Sequence, residues 1–329
     1  MKKIKLLSLF SGIGAFEKAL QRLKLPYELI GFSEIDKYAT TAYSAIHNIN
    51  KSLNLGDVRE ISIESLPQNI DMITHGSPCQ SFSIVGKGEG GNRGSNTKSS
   101  LMWYTVNIVK HIKPKYVIWE NVKGILSKKH RHNFDLYLNT LKSYGYNNYY
   151  KVLNAKNYGI PQDRERVFVV SIRNDIDIYN FDFPKKLSIE AKLNDFLIDN
   201  VKQKYYKKNT FNSYLKYNGI DFSENTLLKL FNNKERVSFR NDGICYTLTA
   251  SGRNCGNNLY IVDKGRVLTP LECWRLMGFD DKDYWIARKA LEKTYYNGRD
   301  RSNTRMYKMA GNSIVVNVLE EIFRNLFLK

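Results

Sequence analysis

Short apolar runs alternate with amphipathic stretches along the first half of the chain. Ile4 to Phe10 is apolar, and Ala15 to Leu23 follows it with apolar residues at helical spacing. Further strand-like runs occupy residues 27–32, 71–75, 116–119 and 166–172, and helix-like segments lie near 100–112 and 132–143. Strands that alternate with helices predict βαβ units and a mostly parallel sheet covered on both faces. We therefore predict an α/β fold with a Rossmann-like sheet domain, whose ligands bind beyond the carboxyl ends of the strands.

The alternation fades after about residue 174, which predicts a second, smaller and irregular domain. Lysine, asparagine and tyrosine are dense between residues 175 and 265. Such side chains can stack on bases and bind phosphates, although a solvated surface is the alternative for any one of them. Ser313 to Leu328 is apolar at helical spacing and predicts a helix that returns to the sheet domain. The predicted domains are residues 1–178 with 304–329, and residues 179–303.

Composition adds a preference for a polyanionic partner. The 51 lysines and arginines exceed the 32 acidic residues, so the net charge is +19. No apolar run is long enough for a transmembrane helix, and the N-terminal residues enter a strand-like run without a secretory signal. The four cysteines have no metal-ligand spacing, which favours reduced thiols in a cytoplasmic protein.

Three groups of residues at predicted strand ends suit the binding of a nucleotide-like ligand. Phe10, Gly12 and Gly14 form a turn that lets a ligand approach the backbone, although the third glycine of GxGxxG is missing. Glu34 follows the second strand, where a carboxylate can bind ribose hydroxyls, and Asp57 could accept from an adenine amino group. The alternatives are an ordinary strand-to-helix turn and solvated or capping acids.

Reactive side chains follow at later strand ends. Cys79 lies just behind Pro78 after a strand, without a nearby histidine in the sequence, so a cysteine protease has little support. Its alternative role is that of a small buried hydrophobe. Glu120 ends a buried strand, where partial desolvation suits a proton donor. Arg164 and Arg166 project from one face before the next strand.

A glycine-rich basic stretch, residues 86–100, follows the cysteine and contains Lys87 and Arg93. Such a segment can close over an anionic substrate as a lid. An ordinary surface loop is the alternative.

Six segments in order resemble the motifs of the DNA cytosine-C5 methyltransferases. They are Phe10-Ser-Gly-Ile-Gly14, Pro78-Cys79-Gln80, Glu120-Asn-Val122, Gln162-Asp-Arg-Glu-Arg166, Arg266 to Phe279, and Gly311-Asn-Ser313. They extend across almost the whole chain, and its length is similar to that of the compact bacterial restriction-modification enzymes. The resemblance implies a transfer of methyl from S-adenosylmethionine to C5 of a cytosine flipped out of duplex DNA.

The resemblance also assigns roles to individual residues. Cys79 matches the nucleophile that adds to C6, and Glu120 the acid that protonates N3. Arg166, with Arg164 beside it, matches the arginine that orients this machinery and contacts the base. The implied cofactor site needs no metal and consists of Phe10, Gly12, Gly14, Glu34, Ile35, Asp57, Val58, Pro78, Leu101 and Asn312.

The part between the arginine pair and Arg266 resembles the family's target-recognition domain, with Thr247 and Leu248 in its threonine-leucine element. The implied DNA-binding residues are Gln80, Ser83, Lys87, Arg93, Arg240, Thr247, Leu248, Arg253 and Asn254. Which of them contacts a base and which a phosphate stays open, as does the recognised sequence. We expect a monomer, and a cognate restriction endonuclease, if there is one, would act separately.

Three other functions compete with this interpretation. A tRNA cytosine methyltransferase of the same family shares the chemistry, but its Cys-Phe-Thr element is missing from the variable part. A silent DNA-binding relative would lack some of Cys79, Glu120 and Arg166, and all three are present. The missing third glycine argues against a nucleotide-dependent oxidoreductase.

Overall fold

The structure is a computed structural model that describes residues 2–79, 81–82, 90–176, 181–188, 190–206, 227–230, 237–250 and 258–328. The chain divides into two compact units. Unit 1 consists of Met1–Leu153, Glu165–Lys185 and Val318–Lys329, and unit 2 of Asn154–Arg164 and Lys186–Asn317.

A six-stranded sheet forms the centre of unit 1. Its strands are β1 (Ile4–Leu9), β2 (Tyr27–Ser33), β3 (Met72–His75), β4 (Tyr116–Val122), β5 (Tyr146–Asn154) and β7 (Glu165–Arg173). Their order is β2-β1-β3-β4-β7-β5. The pairs β1·β2, β1·β3 and β3·β4 are parallel, whereas β4 and β7 are antiparallel. The α/β fold with a mostly parallel sheet is therefore confirmed.

Amphipathic helices pack on this sheet: α1 (Ala15–Arg22), α2 (Lys37–His47), α3 (Met102–Ile112), α4 (Arg131–Ser143) and α8 (Val316–Phe327). Asp36 caps α2 by accepting a hydrogen bond of 2.9 Å from the amide of Tyr38. The apolar face of α1 meets α8, where the rings of Phe16 and Phe323 lie 6.4 Å apart. The predicted C-terminal helix therefore belongs to the sheet unit.

The core of unit 1 combines aliphatic side chains of the central strands with aliphatic and aromatic side chains of the helices. Leu7, Ile73, Val117 and Val169 are almost completely buried in one cluster. Each such side chain contributes about 1.5–3 kcal/mol relative to an exposed one, so the sheet edge that carries the motifs has a rigid support.

The described residues of unit 2 form short strands and three helices. Its strands are β6 (Gln162–Asp163), β8 (Leu227–Leu230), β9 (Val237–Arg240), β10 (Cys245–Tyr246), β11 (Leu259–Ile261) and β12 (Arg266–Val267). Four of them form an antiparallel sheet in the order β12-β11-β8-β9, and β6 and β10 form a parallel pair. The helices are α5 (Pro270–Arg275), α6 (Asp281–Tyr295) and α7 (Asn303–Asn312).

Short 3₁₀ helices connect several of these elements. They span Lys51–Leu53, Val58–Glu60, Ile63–Ser65, Lys98–Leu101, Lys123–Leu126, Ala155–Tyr158, Leu193–Phe196 and Gln203–Tyr205. In the described part of the chain, no helix is both long and apolar enough to cross a membrane.

Candidate active site

The glycine-rich turn between β1 and α1 is open on one side and closed on the other. Phe10, Gly12 and Gly14 all have positive φ angles, of 53°, 57° and 81°. A Cβ atom on Gly12 would have no atom within 4 Å, whereas one on Gly14 would lie 2.0 Å from Nε2 of His47. Gly12 therefore leaves room for a ligand, and Gly14 allows the close approach of α2.

Glu34, directly after β2, is tied to this turn. Its carboxylate accepts hydrogen bonds from the backbone amides of Gly12 (3.0 Å) and Asp36 (2.7 Å). Burial raises the pKa of the Glu34 carboxyl above its usual value. The neighbouring Ile35 side chain is 73% exposed, which is unusual for a large apolar residue. The structure thus brings Gly12, Glu34 and Ile35 together at the end of two adjacent strands.

Asp57 begins the 3₁₀ helix Val58–Glu60 and already has a cationic partner. Its carboxylate accepts from the guanidinium of Arg59, with 2.6 Å between Oδ2 and Nη2. Hydrogen bonding to Arg59 lowers the pKa of the Asp57 carboxyl. The sequence prediction missed Arg59, although its position two residues after an acid was a usable signal. Val58 is buried and Leu101 packs against the same core cluster.

Cys79 lies in a turn that is anchored from the neighbouring strand. It is a partly exposed cysteine, four residues beyond the end of β3. Since His75 of β3 pairs with Trp119 of β4, the two strand ends lie side by side. Trp119 Nε1 donates to Ser77 Oγ at 3.0 Å, and Asn121 Nδ2 donates to Ser77 O at 3.3 Å. Ser77, which the sequence prediction missed, therefore fixes the Gly76–Cys79 turn and with it Pro78.

Glu120 and Arg166 form a largely buried ion pair in unit 1. Arg166 Nε lies 3.1 Å from Glu120 Oε1, and their side chains are 17% and 11% exposed. The antiparallel register explains the contact, because Glu120 faces Phe168 and Arg166 is two residues away on the same side of β7. A carboxyl held by a guanidinium at a strand end can orient a polar heterocycle and exchange a proton with it.

Arg164 has a different environment, in unit 2. Its buried guanidinium donates to the carbonyl oxygens of Leu248 (2.8 Å), Gly311 (3.3 Å) and Ser313 (2.7 Å). Gln162, two residues earlier, accepts a hydrogen bond of 3.0 Å from the amide of Leu248 through its side-chain oxygen. These contacts fasten the threonine-leucine element to the β6 segment and to the end of α7, where Asn312 is exposed.

The other predicted DNA-binding residues differ in their exposure and in their partners. Arg240 pairs with Asp242 (2.5 Å) and with Asp163 (3.5 Å), and Thr247 donates its hydroxyl to the carbonyl of Asp163. Leu248 is buried, whereas Arg93 is exposed and lies 6.0 Å from the Trp103 ring. Gln80, Ser83, Lys87, Arg253 and Asn254 lie outside the described residues.

No group of three histidine, cysteine, aspartate or glutamate side chains within the described ranges is placed to hold a metal ion.

Comparisons with known proteins agree on one family. The family described as C-5 cytosine-specific DNA methylase matches residues 4–328. The type II methyltransferase M2.ScrFI of Lactococcus lactis subsp. cremoris is 34% identical, over 97% of both chains. The type II methyltransferase M.HhaI of Haemophilus parahaemolyticus is 31% identical, over 98% of this chain and 94% of its own. The orphan methyltransferase M.SPBetaI of Bacillus phage SPbeta is 29% identical, over 99% and 98%.

Solved structures share the fold at lower identity. The Entamoeba histolytica methyltransferase EhMeth superposes with a TM-score of 0.72 at 19% identity and covers 100% of both chains. The S. pombe Dnmt2 methyltransferase has a TM-score of 0.67 at 19% identity, with 99% of both chains covered.

Proposed function

Since this chain belongs to the C-5 cytosine-specific DNA methylase family, we propose that it methylates C5 of cytosine in a short specific sequence of duplex DNA. The observation that supports this most directly is the ion pair of Glu120 with Arg166, at the end of the strand whose residues Trp119 and Asn121 anchor the Cys79 turn. A nucleophile, a proton donor and a cation that orients it are the three groups that this reaction requires.

The thiolate of Cys79 starts the reaction. Cytosine C5 is too weak a nucleophile to take a methyl group unaided. When the Cys79 sulfur forms a bond to C6, the electron pair of the C5–C6 double bond becomes available at C5. The turn anchored at Ser77 holds the sulfur in place for this attack.

Glu120 and Arg166 make C6 electrophilic. Glu120 protonates N3 of the base, and Arg166 keeps the carboxyl oriented and contacts the ring. The nearly buried position of this pair strengthens both interactions, because little water competes for them. After the methyl group is on C5, a water molecule accepts the C5 proton, the C–H electron pair re-forms the C5–C6 double bond as the C6–sulfur bond breaks, and N3 returns its proton to Glu120. Cys79 leaves as a thiolate, and the product is 5-methylcytosine.

S-adenosylmethionine, when bound, supplies the methyl group as an electrophile. The residues of unit 1 fit this cofactor. Glu34 would bind the ribose hydroxyls, while Phe10 and the exposed Ile35 would contact the adenine. The open side of Gly12 allows a close approach to the backbone. Asp57 would accept a hydrogen bond from the adenine amino group. For this, its carboxylate must be shared with Arg59 or released from the ion pair with Arg59. Pro78, Val58 and Leu101 complete the proposed set in unit 1.

Unit 2 is proposed to recognise the DNA, and neither C5 nor C6 can be reached while the base is stacked, so the cytosine must be flipped. Arg164 acts in this proposal as a positioning residue, since its guanidinium is committed to three carbonyl oxygens. A single chain supplies every group named here, so a monomer suffices.

The test is methyl transfer from labelled S-adenosylmethionine to unmethylated duplex DNA, beside tRNA and beside the Cys79→Ser variant. We expect label on DNA only, loss of at least about a thousandfold of the rate in the variant, and retained cofactor binding. Bisulfite sequencing should then place 5-methylcytosine in one recurring sequence. Label on tRNA alone would overturn the DNA substrate, and an active Cys79→Ser variant would overturn the nucleophile.

A further inference from the structure

Helix α6 of unit 2 has one buried face and one basic face. Tyr284, Ala287 and Leu291 are buried on the inner side. The opposite side carries four exposed residues, which we name the basic strip: Lys282, Trp285, Lys289 and Lys293. At 3.6 residues per turn they fall within about 80° of arc, so they form one continuous surface.

Three acids around the basic strip already pair with other cations. Asp281 pairs with Arg275 at 2.7 Å, and Glu292 pairs with Arg288 at 3.0 Å. Asp300, after the helix, forms ion pairs with Lys202 at 2.5 Å and with Arg288. Across the described ranges, none of the strip's three lysines has an ion pair or a hydrogen bond. Such a charge arrangement favours an anionic partner.

Trp285 adds an exposed aromatic ring to this charge. Its side chain is 48% exposed, whereas Trp103, Trp119 and Trp274 are at most 4% exposed. The guanidinium of Arg288 lies 5.9 Å from the Trp285 ring and supports it. A planar apolar group between ammonium groups suits a ligand that has both charged and apolar parts, such as the sugar-phosphate backbone of a nucleic acid.

The spacing of the strip also suits a regular polyanion. Lys289 and Lys293 are about 6 Å apart along the helix axis, and Lys282 and Lys293 about 16 Å. Duplex DNA presents a phosphate every 3.4 Å of axis along each strand, so each ammonium group can meet its own phosphate within this span. We propose that the basic strip of α6 binds the backbone of duplex DNA, with Trp285 against a sugar. This proposal rests on the proposed function.

Salt dependence tests the three lysine contacts. The variant K282Q/K289Q/K293Q is compared with K110Q/K142Q/K151Q, which removes the same charge from exposed positions of unit 1. Binding to random-sequence duplex DNA is measured over a range of salt concentrations. We expect the slope of log K against log salt to become shallower by about 2 to 3 in the strip variant only, since each phosphate contact contributes about 0.9. Equal slopes in the two variants would overturn the proposal.

Tryptophan fluorescence tests the position of the DNA. Acrylamide reaches Trp285 and not the three buried tryptophans, so a W285F variant identifies its contribution. Duplex DNA should shield Trp285 from the quencher. Unchanged quenching with bound DNA would overturn the proposal, and so would shielding that grows with protein concentration without DNA, because that result assigns the face to a second copy of the chain.

Methyl transfer at saturating DNA separates this proposal from the proposed function. The strip variant should keep the wild-type rate under these conditions, because no strip residue belongs to the catalytic set. A wild-type protein that methylates DNA while the strip results are negative would leave the proposed function intact and remove only the α6 contact. If the wild-type protein does not methylate DNA, both the proposed function and the α6 contact are contradicted.

Discussion

The last residue of β3, His75, is a histidine without access to water. Its Nε2 atom lies 2.9 Å from the hydroxyl of Tyr137, and Nδ1 has no hydrogen-bond partner among the described residues. Burial lowers the pKa of His75 from 6.5 to about 3. The ring also stacks on Trp119, with centroids 5.6 Å apart, and Trp119 holds Ser77. The neutral imidazole of His75 thus packs against Trp119, which in turn anchors the Cys79 turn.

His75 makes the folded protein sensitive to acid in a defined window. As pH falls below 6.5, the unfolded chain binds a proton at this histidine and the folded chain does not until about pH 3. Stability present above pH 6.5 is therefore lost as pH falls through this window, by about 2 kcal/mol between pH 7.5 and pH 5.

Urea unfolding at the two pH values measures the effect. The His75→Phe variant, which has no titrating group there, should show a pH-dependent loss smaller by about 2 kcal/mol. The comparison uses the difference between pH values within each protein, so the cost of the substitution itself cancels. Identical pH dependence in both proteins would contradict the prediction.

Helix α7 and the segment that ends at Ala250 approach each other closely. A Cβ atom on Gly311 would lie 2.4 Å from the carbonyl carbon of Thr249 and 2.6 Å from the amide of Ala250. The same glycine offers its carbonyl oxygen to Arg164. Gly311 lies inside the helix without a positive φ, where glycine is normally a disadvantage, so the tight contact with another backbone explains its presence.

Gly311→Ala should therefore destabilise the protein although alanine is the better helix former. The intrinsic gain of about 1 kcal/mol is outweighed by overpacking against backbone, and we expect a net loss of about 1–3 kcal/mol. Denaturant unfolding measures it, with Thr304→Ala on the exposed side of α7 as the control within about 0.5 kcal/mol of wild type. A stabilised Gly311→Ala protein would show that this contact is looser than described.

At the scale of elements, the sequence predicted strongly patterned segments well and weakly patterned ones badly. The run Ile4 to Phe10 became β1, and the segment predicted at 132–143 became α4. Strand β5 was missed, because its exposed residues include Asn147 and Lys151 and leave no continuous apolar run. As an edge strand of the sheet, β5 needs fewer apolar residues than a central strand.

For the whole molecule, the binding of S-adenosylmethionine should appear as added stability. A ligand that binds only the folded state at one hundred times its Kd stabilises it by about 2.7 kcal/mol. We expect this increment in wild type and in Cys79→Ser, and its loss in Glu34→Ala, because Glu34 holds the proposed ribose site and Cys79 does not. Thermal unfolding with and without the cofactor measures it. A Glu34→Ala protein with the full increment would remove Glu34 from the cofactor site.

The sequence by itself determined the family, the α/β class and the residue types at each strand end, because these depend on local pattern and on motifs of a few residues. Tertiary structure decided which of those residues meet. Glu120 and Arg166 form a pair because β7 runs antiparallel to β4 in one register, and Arg164, only two residues earlier, is bound by carbonyls of unit 2. Ser77 gained its role in the same way, through Trp119 and Asn121 of the neighbouring strand. Contacts between residues far apart in sequence depend on how strands align and pack, and this alignment cannot be predicted from a local pattern.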